Sequence, residues 1–306
     1  MKPKSSFLRL LHPRYWLSWI GLMVMRLLSM LPLPLLWVLG STLGGLLYFL
    51  HGSRRHIVLR NIEGCFPCLD RTAQRRMARH HFHGVGQASL STGIAWWSAK
   101  RRLERLVRCR DRHYYDQALA QGRPVILLAA HFVGMEIGGM YLSRERPMVD
   151  MYRRANNKLF DAVFKHGRVR FGGRVVERGE GLKPIIKLLR EGVVFIYLLD
   201  QDPGRHNTAF VPFFGVPAAT LTALGRLTRI TNAIVVPCFT RQLPRGQGYE
   251  VIFKPALDNF PTGDDVADAL RMNQEIEKGV LDMPEQYFWV HKRFKTRPEG
   301  EPDFYR

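Results

Sequence analysis

Acidic residues are scarce in this chain. Among 306 residues there are 26 Asp and Glu against 46 Lys and Arg, a formal charge of +20. The shortage is greatest over residues 1–110, where 18 basic residues face only Glu63, Asp70 and Glu104, a local excess of +15. A surface so basic expects an anionic partner: an acidic leaflet, a phosphorylated substrate, an acidic protein or nucleic acid. Cysteine is equally thin. Of the four, Cys65 and Cys68 form a C-x-x-C around Pro67 with no second pair behind it. That excludes a disulfide frame, leaves a zinc site two ligands short and implies a reducing compartment. Alanine does not occur before Ala73, so the basic and then apolar N-terminus has no A-x-A cleavage site and reads as retained. No repeat or low-complexity tract is present, and 46% hydrophobic residues exclude a disordered basic tail.

Residues 15–50 carry a single charge, Arg26. A spanning helix needs ~20 apolar residues, and Pro32 and Pro34 cut this run into halves just short of that. A kinked span, a short hairpin and an interfacial helix all fit the pattern. Trp16, Trp19 and Trp37 suit the headgroup zone. Lys2, Lys4, Arg9 and Arg14 precede the run and Arg54, Arg55 and Arg60 follow it. Basic flanks on both sides favour a hairpin or embedded helix over a simple span, the other reading being a hairpin buried in a soluble core. We therefore divide the chain into an N-terminal anchor, 1–55, and a second domain, 56–306, whose lead-in is helical to about residue 120.

Residues 70–120 read as amphipathic helices, including the cationic KRRLERLVRCR at 100–110. From residue 123 the texture changes. Short apolar runs at 124–130, 147–152, 173–176, 193–199, 233–239 and 249–253 read as strands covered on both faces. Helix-like segments at 157–170, 181–190 and 220–231 separate them, and 266–281 adds a C-terminal helix. Strand alternating with helix predicts an α/β fold: a mixed, largely parallel sheet flanked by helices.

Chemistry in such folds gathers at the carboxyl ends of strands. There the sequence reads AAHFVGMEIGG, with His131 and Glu136 five residues apart. The two can meet if His131 lies in the strand-to-helix turn and Glu136 in the next helical turn, with Gly134 permitting a tight backbone. A histidine beside a carboxylate is a general base whose tautomer is fixed. The other reading is a structural histidine at a helix start.

HFVGMEIGG after an apolar strand resembles the H-x4-D/E motif of glycerolipid acyltransferases. More closely, the chain resembles the lipid A late acyltransferases of Gram-negative bacteria. The likeness runs nearly end to end: LHPRYWLSWIG at 11–21, RNIEGCFP at 60–67, Tyr152-Arg153, HGRVR at 166–170, DQDPG at 200–204, VPFFGVPAATLT at 211–222 and PEQYFWVHKRFKTRPEG at 284–300. It implies direct acyl transfer from acyl carrier protein to a hydroxyacyl hydroxyl of a Kdo-bearing lipid A precursor, at the cytoplasmic face of the inner membrane. No cofactor beyond the acyl carrier co-substrate is implied, and no nucleic-acid partner. His131 would be the general base and Glu136 its orienting partner. No acyl-enzyme is needed, so the lack of a G-x-S-x-G elbow is no objection.

Arg168 matches an arginine important for activity in the family, and its fork suits a phosphate or carboxylate; otherwise it is a surface arginine at a helix end. Asp200 ends the run at 193–199 and matches a functionally sensitive acid; otherwise it is a loop carboxylate paired with Arg205. Asp202 is its understudy. Tyr152 and Arg153 are expected to touch a phosphorylated sugar. His291, Lys292 and Arg293 belong to a strong block and read equally well as architectural. A glycerol-phosphate or lysophosphatidate acyltransferase, or a non-catalytic basic binding protein, are the competing functions.

Overall fold

The structure is a computed structural model that describes residues 10–198 and 200–306. The expectations placed on Lys2, Lys4, Arg9 and Leu199 lie outside the described residues. Two apolar helices come first, α1 (Trp16–Leu28) and α2 (Leu33–Leu50). Pro32 caps α2 and Pro34 occupies its first turn, where a missing N–H costs nothing. The run is thus two helices joined by a short connection. α3 (Gly52–Cys65) continues almost directly, so residue 55 falls inside a helix. Asp70 then caps α4 (Arg71–Trp97), accepting from the Ala73 N–H at 2.7 Å.

α2 packs on α4 closely enough that backbone meets backbone. A Cβ on Gly44 would lie 2.1 Å from the Phe82 carbonyl oxygen, and one on Gly86 would lie 2.1 Å from that of Gly40. Only glycine permits this approach. By length and composition α2 is a helix able to cross a membrane. On the outer face Leu17, Ile20, Met23, Leu46, Phe49 and Leu50 are exposed.

The cationic stretch does not stay helical. α5 (Lys100–Leu106) gives way to β1 (Val107–Arg110), an edge strand pairing in parallel with a strand near residue 250. V-R-C-R alternates inward and outward with the period of a strand, a signal masked by the run of basic residues. α6 (His113–Ala120) leads to β2 (Val125–Leu128), α7 (Met135–Ser143), β3 (Met148–Tyr152), α8 (Lys158–Val169), β4 (Arg174–Glu177), α9 (Lys183–Arg190) and β5 (Val194–Tyr197). An antiparallel hairpin follows, β6 (Thr208–Phe213) and β7 (Val216–Leu221), turning at Phe214 and Gly215, both at positive φ. It takes the place of the helix expected from residue 220, so α10 (Ala223–Thr231) starts later. β8 (Ile234–Gln242), β9 (Tyr249–Phe253) and α11 (Asp265–Asp282) complete the order.

Among the described residues the main sheet has seven strands in the order β1-β9-β8-β2-β5-β3-β4. All pairs are parallel except β8–β9. The sheet is mixed and largely parallel, with helices around it, as the alternation of runs predicts. Its centre is β2, whose four residues are all buried. Because β5 lies beside β2 in the same direction, the chain leaves both strands at the same edge.

Candidate active site

His131 stands three residues past the end of β2, and Asp200 three past the end of β5. Their side chains meet: His131 Nδ1 lies 2.5 Å from Asp200 Oδ1, and the His131 backbone N–H donates to Oδ2 at 2.9 Å. Asp200 is 2% exposed. Burial alone would raise its pKa; the His131 charge and hydrogen bonds, with a contribution from Arg293, push it down to about 2. A carboxylate held so firmly ionised fixes the proton on Nδ1 and leaves Nε2 as the basic nitrogen.

Nε2 is not bare. The Gln201 amide nitrogen lies 3.1 Å from it and 2.9 Å from Nε2 of His291. One NH2 donating to both rings requires both Nε2 atoms to be unprotonated. Burial, then the charge of His131, push the His291 pKa down to about 4, which keeps that ring neutral. The segment carrying His291 closes over the turn: Phe288 N–H donates to the His131 carbonyl at 2.8 Å, and Phe132 bridges to Tyr287.

Glu136 is elsewhere. No hydrogen bond or ion pair joins it to His131 among the described residues. In the first turn of α7 it faces α4 and α8, receiving Trp96 Nε1 at 2.8 Å and Arg168 Nε and Nη2 at 3.1 and 2.5 Å. Burial opposes its ionisation, but Arg168 and Trp96 hold its pKa below the ordinary glutamate value. The expected His131–Glu136 pair is therefore corrected: the partner of His131 is Asp200, because two parallel neighbouring strands deliver both to one edge. Arg168 is no surface residue either. It lies over the Phe164 ring, 4.3 Å from the centroid, and its other arm donates to Asp150 on β3. Burial works against the Arg168 charge, and the two carboxylates more than restore it. Asp150 is pushed up by burial, against the pull of Arg168.

Gly134 does not serve by an unusual conformation, since its φ is −87°. Glycine matters there for space: a Cβ would meet Thr240 at 3.0 Å, and one on Gly138 would meet Thr240 Oγ1 at 2.0 Å. The same face borders an apolar crevice of about 60 Å³ lined by Ala129, Met135, Met140, Met148, Ile196 and Leu198, with Glu136, Asp150 and Arg168 as its polar wall.

The remaining expectations part from the site. Tyr152 is buried under α8, its ring 5.9 Å from that of Phe164. Arg153 is exposed, and Arg154 pairs with Glu177 at 2.8 Å. Asp202 is spent on structure, accepting from Thr296 and the Gly204 N–H. Arg205 binds the Arg297 carbonyl rather than Asp200. Arg293 is buried and holds the β6–β7 hairpin through the Ala219 carbonyl and Thr220, and Lys292 lies over the Tyr305 ring. Sequence reasoning passed over Gln201, although it sits inside DQDPG, and over Trp96 and Asp150, which carried no local signal.

A buried acid, a histidine whose Nε2 is unprotonated and held only by an amide, and an adjacent crevice suit acyl transfer by a general base. The model of the bacterial lipid A biosynthesis acyltransferases matches residues 4–296. The chain belongs to that family. It is 38% identical to the lipid A biosynthesis lauroyltransferase of Escherichia coli, with 99% of both chains covered. The palmitoleoyltransferase of the same organism is 34% identical with both chains covered in full, and its myristoyltransferase 32% identical over 96% of this chain and 92% of the relative. Among solved structures, the 1-acyl-sn-glycerophosphate acyltransferase of Thermotoga maritima aligns with a TM-score of 0.38 and 16% identity, covering 82% of this chain and 97% of that one. The protein is thus an O-acyltransferase of lipid A biosynthesis. This excludes the non-catalytic reading and sets aside the glycerophosphate one. In this lipid A acyltransferase the H-x4-E residues divide between two clusters, His131–Asp200–Gln201 and Glu136–Arg168–Asp150–Trp96.

Proposed function

We propose that this acyltransferase moves a fatty acyl chain from the thioester of acyl carrier protein to a hydroxyacyl hydroxyl of a Kdo-bearing lipid A precursor, with His131 as general base. The observation that carries the reading is the His131 Nδ1–Asp200 Oδ1 contact of 2.5 Å, with Nε2 facing the opposite way. The acceptor hydroxyl displaces the Gln201 amide from Nε2 and gives up its proton there as its oxygen attacks the thioester carbonyl. Asp200, ionised throughout, stabilises the imidazolium. The tetrahedral intermediate collapses with cleavage of the C–S bond; the imidazolium returns its proton to the departing thiolate, leaving an ester and the free carrier thiol. Nothing in the sequence of steps calls for a cofactor. Glu136 and Arg168 hold the wall of the crevice in which the first methylenes of the donor chain lie.

The exposed apolar face of α1 and α2 and the basic residues around it support a location at the cytoplasmic face of the inner membrane, in contact with its anionic lipids. The test is a reconstitution with purified protein, the Kdo-bearing precursor and acyl carrier protein thioesters, read by mass spectrometry. One added acyl mass is expected with the wild type and none with His131→Ala. Transfer from coenzyme A thioesters alone would refute the donor; transfer at the wild-type rate by His131→Ala would refute the base.

A further inference from the structure

The Gln201 amide nitrogen stands between two imidazoles, 3.1 Å from His131 Nε2 and 2.9 Å from His291 Nε2, and the two rings meet edge to face with centroids 5.6 Å apart. An amide NH2 has two N–H bonds, so one serves each ring. The residues on either side of Gln201 are pinned. Asp200 is bound to the ring and N–H of His131, and Asp202 accepts from the Thr296 N–H and hydroxyl. The freedom left at this position therefore lies in the Gln201 side chain, which is half-buried. His291 is set as firmly. Asn61, fully buried, donates to the carbonyls of Trp289 and His291 at 2.7 and 2.8 Å. Burial first, then the charges of His131 and Arg54 against that of Asp200, keep the His291 ring neutral and an acceptor at Nε2.

Acyl transfer needs a donor beside the base. As the acceptor oxygen adds to the thioester carbonyl, negative charge gathers on the carbonyl oxygen, and one N–H already aimed at it is worth about 10²–10³ in rate. The backbone N–H groups that flank the base are committed elsewhere: His131 to Asp200, Phe132 to the Ala130 carbonyl and Val133 to the Gln286 carbonyl. In the closing segment Phe288, Trp289 and His291 donate to the carbonyls of His131, Tyr287 and Phe288. An acceptor hydroxyl that takes the place at His131 Nε2 frees one N–H of Gln201 and leaves the other on His291. The amide starts 3.1 Å from the nitrogen that receives the proton. Its freed N–H therefore lies beside the attacking oxygen, and the oxyanion is bonded to the same carbon as that oxygen.

We propose that Gln201 is a catalytic residue, the oxyanion donor of the transfer, and that His291 is a positioning residue that keeps the amide turned toward the reacting carbon. The hydroxyl O–H breaks with its proton passing to His131 Nε2, the O–C bond forms, and the carbonyl π pair moves to the oxygen that the Gln201 N–H meets. Collapse restores that pair as the C–S bond breaks, and the proton passes to the departing sulfur. Gln201 then returns to the emptied Nε2. The proposal rests on the acyl-transfer reading above for the identity of the two substrates, and it gives His291 a part in the reaction beyond architecture.

Gln201→Met keeps the length of the side chain and removes both N–H bonds. In the full chain in detergent micelles, with carrier thioester and precursor, its kcat should fall about 10²–10³-fold. The KM for the acceptor should stay level or drop, since no amide then competes for Nε2. His291→Leu keeps the donor but unmoors it, and should lose about 2- to 10-fold in kcat, the effect of one neutral hydrogen bond. His291→Gln, whose Oε1 can stand where the ring nitrogen stood, should recover most of that loss. Two ketones with the donor's acyl chain give a readout without turnover: a trifluoromethyl ketone, whose hydrate carries two oxygens on one tetrahedral carbon, and the matching methyl ketone, which stays trigonal. Gln201→Met should weaken binding of the first in proportion to its loss of kcat and leave the second unchanged. A kcat at or above the wild type would make the amide a mere plug on Nε2 and overturn the proposal. Equal weakening of both ketones, the mark of a distorted site, would overturn it too. Wild type that transfers nothing from the carrier thioester, yet binds the trifluoromethyl ketone more tightly than Gln201→Met does, would refute the proposed donor and keep the oxyanion site.

Discussion

Replacing His131 with alanine should lower the catalytic rate by about 10²–10⁴-fold, the usual worth of a positioned general base. Asp200→Asn should approach that loss, and the double variant should be little worse than His131→Ala, because the pair acts as a unit. Rate constants from single-turnover mixing check this; additive losses would separate the two residues. Glu136 belongs to a different unit. Glu136→Gln leaves the buried Arg168 cation with Asp150 alone and should cost about 3–5 kcal/mol in chemical denaturation, as loss of one member of a buried pair does. Glu136→Gln with Arg168→Gln should recover part of it. The motif H-x4-E was legible as a site because His131 follows an apolar run. The pairing was not, because Asp200 is 69 residues away and meets His131 only once β5 lies against β2. Spacing along a chain reports neighbours on one helix or strand; it is silent about which strands become neighbours.

At the scale of elements, the α2–α4 contact turns on Gly40, Gly44 and Gly86. Gly44→Leu and Gly86→Leu should each prevent the close approach, since the added atoms meet backbone that cannot step aside. The expected readout is aggregation or loss of cooperative unfolding, with Gly45→Leu, whose Cβ would meet only the far end of the His83 ring at 3.7 Å, as the tolerated control. Charges placed on the outer face, Leu17→Asp with Phe49→Asp and Leu50→Asp, should instead release the protein from anionic vesicles in flotation while leaving its far-ultraviolet circular dichroism unchanged. The apolar strands β2, β3, β5, β8 and β9 were legible as runs because a strand covered on both faces must be apolar throughout. β1 was not, since four residues of an edge strand read as the tail of a basic helix. Nor was the β6–β7 hairpin, whose two prolines, Pro212 and Pro217, lie opposite each other and disguise it.

For the whole molecule, charge sets both encounter and pH response. Lys100, Arg101 and Arg105 are exposed on α5, whereas Arg102 ties α5 to the α1–α2 connection through the Ser29 and Leu31 carbonyls and Arg108 pairs with Glu250. Reversing the first three should slow association with an acidic carrier protein and flatten its salt dependence, with single-turnover chemistry unchanged. His81 and His291 are kept neutral, each with a pKa near 4 in place of 6.5, chiefly by burial. The unfolded chain therefore takes up protons first, so stability should fall between pH 6.5 and 4, by up to about 1.4 kcal/mol per pH unit for each ring. Asp200, held at about 2 instead of 3.8, adds a further loss below that window. Denaturation curves across this range, with His291→Gln removing one proton from the uptake, measure it. The closing segment adds an element of time. Asn61 and His81, near the front of the chain, are hydrogen-bonded to the carbonyls of Trp289, His291 and Glu285, and the turn at His131 is covered by Tyr287 and Phe288. On the ribosome the apolar helices are made well before these residues. The histidine thus waits for its lid, and the growing polypeptide stays catalytically silent until the closing segment has been made.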